Sequence, residues 1–121
     1  MNQEPTKIQR WEMIVDFYRD LIDNYSWPLH CMIDLVNAVL DSPLADRYFP
    51  STSHASLGIS SFKDYPEVNQ NRIVFVLVDE KLEYFEAKFY FKVGVLDHQK
   101  KYQLNEIVSF LQAADAWLGN A

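Results

Sequence analysis

Residues 84–93 read Tyr-Phe-Glu-Ala-Lys-Phe-Tyr-Phe-Lys-Val, and their alternation decides the fold. Phe85, Ala87, Phe89, Phe91 and Val93 fall on one parity, with Tyr84, Glu86, Lys88, Tyr90 and Lys92 on the other. Successive side chains of a strand point to opposite faces, so the pattern predicts a strand with its first set in the core. A slip of one residue would expose that bulky set, which fixes the register. Upstream, residues 72–78 (RIVFVLV) are apolar on both parities and rich in β-branched side chains. That is the texture of a central strand covered on both faces. Residues 79–82 turn the chain between the two. Leu57 and Ile59 suggest a shorter strand, in which Gly58 either weakens the pairing or marks a close backbone approach. Residues 42–54 read as irregular, and 63–71 as a polar connection containing Pro66. Residues 94–101 read as a turn region, and 102–104 as a short strand or the lead into a helix.

Helices flank this β-rich middle. Ile8, Trp11, Ile14, Val15, Tyr18, Leu21, Ile22 and Tyr25 recur three and four apart, one face of a long helix. Thr6 is its expected N-cap, with Pro5 ahead, and residues 24–26 are its stop. A second helix follows closely, with Ser26 as cap and Pro28 in its first turn. Leu29, Met32, Ile33, Val36 and Leu40 form its stripe, and Ser42-Pro43 ends it. So short a connection implies an αα-hairpin. At the far end, Asn105 is the expected cap, Glu106 suits the positive helix end, and Gly119 suits the exit. Ile107, Phe110, Leu111, Ala114, Trp117 and Leu118 give that helix its apolar face. The order αα–βββ–α places the chain in the α+β class. The expected architecture is an αα-hairpin, a three- to four-stranded antiparallel β-meander and a C-terminal helix, packed as a two-layer sandwich in one domain over residues 1–121.

Composition narrows the function. The 121 residues are 49% hydrophobic and 23% charged, the balance of an ordinary globular domain. Eleven basic and seventeen acidic side chains give a net charge of −6, which argues against a nucleic-acid partner because phosphate contacts need Lys and Arg. One cysteine, Cys31, cannot close an intramolecular disulfide, so a reducing, cytoplasmic setting is expected. The segment up to Trp11 lacks the apolar stretch of a signal peptide, and the apolar run 73–78 is too short to span a bilayer. No membrane partner is therefore expected. The three glycines stand apart, so no phosphate-cradling loop can be written. His30, His54 and His98 lie in different segments, without metal-ligand spacing. Neither a cofactor nor a metal is expected. Cys31 and its neighbour His30 point about 100° apart on a helix, which makes Cys31 a small hydrophobe rather than a nucleophile.

Three groups remain as candidate binding residues. Glu12, Asp16, Asp20 and Asp23 recur at helical spacing along one side of the first helix, interrupted by Arg19. Such a stripe is either a solvated face or a landing strip for a basic partner. Asp34, Asp41 and Asp46 extend the acidic bias, and residues 1–50 carry −4 against −2 for the remainder. Tyr48 and Phe49, between two prolines, either plug one end of the core or stand exposed as an anchor beside the acidic helices. Tyr84, Glu86 and Tyr90 mark the outward side of the strand at 84–93. They could stabilise an open sheet face, form a binding patch, or line a pocket with Glu86 as general base.

Taken together, the expectation is a non-enzymatic protein-binding module. Its most concrete form is an acidic immunity or inhibitor protein that neutralises a cationic, nuclease-type toxin, acting as a monomer or homodimer. In size, acidity and αα–βββ–α order the chain resembles bacterial immunity proteins, a likeness of outline that transfers no residue roles. The alternatives are a small-ligand-binding or enzyme domain with a pocket between sheet and helices, an acidic secretion chaperone, and an oligomerisation subunit.

Overall fold

The structure, a computed structural model, describes residues 4–79 and 84–119. The turn expected over residues 79–82 falls, beyond Asp79, outside them. Helix α1 (Lys7–Tyr25) begins where the Thr6 hydroxyl accepts the Gln9 N–H at 3.0 Å and the Gln9 side chain accepts the Thr6 N–H at 2.8 Å. This reciprocal capping box satisfies two donors that the first turn leaves without partners. The helix stops at Ser26, which takes the left-handed conformation (φ 57°) and returns its N–H to Ile22 and Leu21. Ser26 therefore ends the first helix and does not cap the second. Helix α2 (His30–Leu40) starts after Leu29 without a side-chain cap. Its buried stripe is Met32, Leu35, Val36 and Val39, rotated from the expected one, so Ile33 and Leu40 are only half-buried.

The segment expected to be irregular carries two elements, helix α3 (Leu44–Arg47) and strand β1 (Phe49–Ser53). A four-residue helix is too short to show a period, and Phe-Pro-Ser-Thr-Ser has no strand alternation. Strand β2 (Ser56–Ser60) follows, then helix α4 (Tyr65–Gln70), strands β3 (Ile73–Asp79), β4 (Tyr84–Lys92) and β5 (Val95–Gln103), a 3-10 turn at Leu104–Glu106, and helix α5 (Ile107–Gly119). Gln103, not Asn105, caps the last helical region, donating its N–H to Glu106 Oε1 at 2.9 Å.

The sheet has five antiparallel strands in the order β1-β2-β3-β4-β5, one or two more than expected, with β3 central. Helices α1, α2 and α5 cover one face. There Leu57, Ile59, Val74, Val76, Phe85, Ala87 and Phe89 meet Trp11, Tyr18, Met32, Val36 and Phe110 in one core. Phe110 meets the Phe85 ring edge-on at 5.3 Å, and Tyr102 stacks on Phe85 at the same distance. The opposite face corrects the reading of residues 72–78 as covered on both sides. Phe75 is half-buried and Leu77 is 45% exposed. Only the Ile73 end is closed, where α4 brings buried Val68 and accepts the Val93 N–H through the Asn69 carbonyl at 3.2 Å. The fold is thus an α+β two-layer sandwich with an open sheet face.

Strand β5 lies where a turn was expected. It is exposed along its length except at Tyr102, so its sequence carries no alternation to read. Phe89 pairs with His98, Tyr90 with Leu96 and Lys92 with Val95, two register shifts that end the inward set of β4 at Phe89. Phe91 and Val93, expected in the core, are consequently 44% and 45% exposed. The irregular register and the outward Lys100 and Lys101 discourage pairing of this edge with another strand. Nearby, the Arg72 guanidinium lies 4.1 Å over the Trp117 ring and donates to the Trp117 carbonyl at 2.9 Å, latching the end of α5 to the start of β3.

Gly58 marks a close approach within the sheet. A Cβ there would stand 2.4 Å from Ser51 Oγ and 3.1 Å from Phe75 Cε1. Gly58→Ala is expected to lower stability by about 1–3 kcal/mol, the usual effect of overpacking. Adding Ser51→Gly should recover part of the loss in urea unfolding. Recovery of nothing would mean that Phe75, not Ser51, sets the limit.

Candidate partner-binding surfaces

Glu12, Asp16, Asp20 and Asp23 all lie exposed on α1. At 100° per residue they span an arc of roughly 80°, on the side away from Trp11, Val15 and Tyr18. Among the described residues none of the four forms an ion pair, and Asp20 accepts a hydrogen bond from the Asn24 amide. Asp34, Asp41 and Asp46 are exposed and equally without a cationic partner among the described residues. Asp34, Asn37 and Asp41 sit three and four apart on the outer side of α2. The outward surface of the helical layer therefore carries carboxylates that form no ion pair among the described residues, with exposed Arg19 beside the α1 stripe.

Tyr48 and Phe49 do not form an exposed anchor. Tyr48 is 5% exposed and ties three elements together. Its carbonyl accepts the Trp11 Nε1–H at 2.9 Å, and its hydroxyl donates to Asp115 Oδ1 at 2.7 Å. Arg47 holds the other Asp115 oxygen at 2.7 Å. Phe49 is half-buried, with the Lys7 ammonium 4.9 Å from its ring centre. Burial first, then the Asp115 carboxylate, push the Tyr48 phenol up from 10.0 to about 12. The fold holds the neutral phenol, so this stabilisation is complete below about pH 10 and is lost as pH rises from there through about 12. Burial raises Tyr18 and Tyr102 in the same direction. Tyr48→Phe should therefore flatten part of the alkaline fall in unfolding free energy. An unchanged slope above about pH 10 would contradict the assignment.

Tyr84, Glu86 and Tyr90 do share one side of the sheet, the open one. Glu86 pairs with Lys88 at 3.7 Å, Lys101 lies 5.0 Å over the Tyr84 ring, and Phe75 meets Tyr90 edge-on at 5.8 Å. Ser56, Phe75, Leu77, Tyr84, Glu86 and Lys88 line a shallow depression of about 230 Å³. The layer order sets this patch and the acidic stripe on opposite sides of the molecule. One partner surface cannot use both.

A groove between α2 and α5 was not anticipated. Ala38, Pro43 and Leu44 form one wall and Val108 and Leu111 the other, around a volume of about 510 Å³. Asp41 stands on its rim, and the Arg47–Asp115 ion pair belongs to its lining. Val108 is 68% exposed. The signal in the sequence was an apolar side chain off the buried stripe of the last helix. Among the described residues no three His, Cys, Asp or Glu side chains gather where they could hold a metal, and no helix is long and apolar enough to cross a membrane. His98 stacks on Phe89 at 4.3 Å, and Cys31 packs half-buried against the core. No family model, curated protein or solved structure matches the chain.

Proposed function

We propose that the chain is a non-enzymatic protein-binding module, most concretely an acidic immunity-type inhibitor that neutralises a cationic, nuclease-type toxin domain in the cytoplasm. The observation that carries this reading is the unpaired carboxylate field on the helical layer. A helix whose inner side is anchored by Trp11, Val15 and Tyr18 keeps Glu12, Asp16, Asp20 and Asp23 fixed on its outer side. Like charges at this spacing repel within the helix, and a cationic partner relieves that repulsion. A predominantly negative field, with the Arg19 cation beside the four carboxylates, also raises the encounter rate with a positive surface and penalises acidic competitors. A nuclease presents such a surface, because it must hold phosphates.

The reading is tested on a basic partner captured from the native cell. If that partner is a nuclease, its activity should vanish on adding one equivalent of the chain and return as salt rises. Undiminished nuclease activity in the saturated complex would remove the inhibitor reading.

A further inference from the structure

The groove between α2 and α5 opens on the same outward layer that carries the carboxylate field. Its walls are apolar: Leu44 and Leu111 are buried at its base, while Val108 stands exposed at its mouth. Among its lining residues Asp41, Arg47 and Asp115 carry charge, and the balance is negative. Asp41 is exposed with no cation paired to it among the described residues, and Asp34 lies further along the same side of α2, outside the lining. The nearby cation, Arg47, is already held by Asp115 at 2.7 Å. An apolar slot with the unpaired Asp41 carboxylate on its rim, and Asp34 further along α2, complements a segment that offers an apolar side chain between basic ones. The volume, about 510 Å³, falls within the range of roughly 300–1,000 Å³ common for specific pockets.

We propose that this groove is the anchor site for a basic amphipathic segment of the partner, one apolar side chain seated between Leu44, Leu111 and Val108 and its basic neighbours facing Asp41 and Asp34. The proposal rests on the cationic-partner reading above and adds the place of contact. Long-range attraction by the carboxylates brings the segment in. The apolar anchor, shielded from water by Pro43 and Val108, supplies the residence time.

Two synthetic helical peptides of equal charge separate the terms, one built of Leu and Lys and the other of Ala and Lys. Titration of the full-length chain should show the Leu/Lys peptide binding at least tenfold more tightly. Val108→Glu then gives opposite signs for the two mechanisms. It adds a negative charge, which tightens a purely electrostatic complex, and it places a carboxylate at the mouth of the slot, which weakens an anchored one. Binding of the Leu/Lys peptide should weaken at least fivefold in Val108→Glu, and the Ala/Lys peptide should bind as before or more tightly. Ser109→Glu, exposed beside it and outside the groove lining, supplies the same charge and should weaken neither peptide. Both substitutions sit on exposed helix positions, and an unchanged circular dichroism spectrum establishes that the fold is kept. Equal affinity for the two peptides, or tightening of both by Val108→Glu, overturns the groove and leaves the charge reading standing. Binding of neither peptide overturns both.

Discussion

Trp11→Ala is expected to leave the chain largely unfolded at room temperature or within reach of mild denaturant. Trp11 is completely buried, where α1 meets α3 and the start of β1. Removing a buried indole costs about 3–5 kcal/mol through lost transfer energy and the cavity left behind. The substitution also removes the Nε1–H that satisfies the Tyr48 carbonyl at 2.9 Å, and an orphaned buried acceptor costs about 1–3 kcal/mol more. Domains of this size hold only about 5–15 kcal/mol in total, so the loss consumes much of the margin. Trp11→Phe separates the two terms, keeping most of the ring volume and losing the donor. Urea unfolding followed by circular dichroism should place it between wild type and Trp11→Ala. If Trp11→Ala unfolded with a midpoint near wild type, the buried Trp11 and its hydrogen bond to the Tyr48 carbonyl would not hold α1 to the rest of the fold.

The second large effect concerns rate rather than stability. Reversing Asp16 and Asp20 together to Lys should slow association with a cationic partner about tenfold or more at low salt. Steered encounters gain roughly 10–1,000-fold from complementary fields, and these two residues hold the middle of the stripe. The gap between variant and wild type should close as salt rises, because exposed charges are screened beyond about 10 Å at 0.1 M. Stability should change little. Both positions are exposed, and removing like-charge repulsion within α1 contributes only a few tenths of a kcal/mol. Equal association rates at low salt would take the stripe out of the mechanism.

Much of this architecture was legible in the sequence because local chemistry and burial agree there. Thr6 and the spacing of Trp11, Val15 and Tyr18 announce α1, and Phe85, Ala87 and Phe89 announce β4 and its inward face. Phe110, Leu111, Ala114 and Leu118 announce α5, and Gly58 marks the crowded sheet between Ser51 and Phe75. The failures follow from elements whose partners, not their own periodicity, decide their state. Strand β5 is held by pairing with β4 while its side chains meet water, so Leu-Asp-His-Gln-Lys-Lys reads as a turn. Phe91 and Val93 continue a perfect alternation, but the shifted register beyond Phe89 removes them from the core. Tyr48 looked like a plug or an anchor. Its role was set by Asp115 and Trp11, 67 and 37 residues away, which no local pattern reveals. The acidic stripe was readable because a helix carries its spacing on its face. The groove was not, since its two walls come from residues 38–47 and 108–115, segments far apart in the chain.

The carboxylate field of α1 is what the proposed function requires. It is tested by affinity capture from the native cell with two baits side by side, the wild-type chain and Asp16→Lys/Asp20→Lys, washed at low and then moderate salt. The expected result is a basic protein retained by the wild-type bait at low salt, released as salt rises, and missing or strongly depleted on the variant. A partner held equally by both baits and indifferent to salt would contradict the account, as would the absence of any basic partner at low salt.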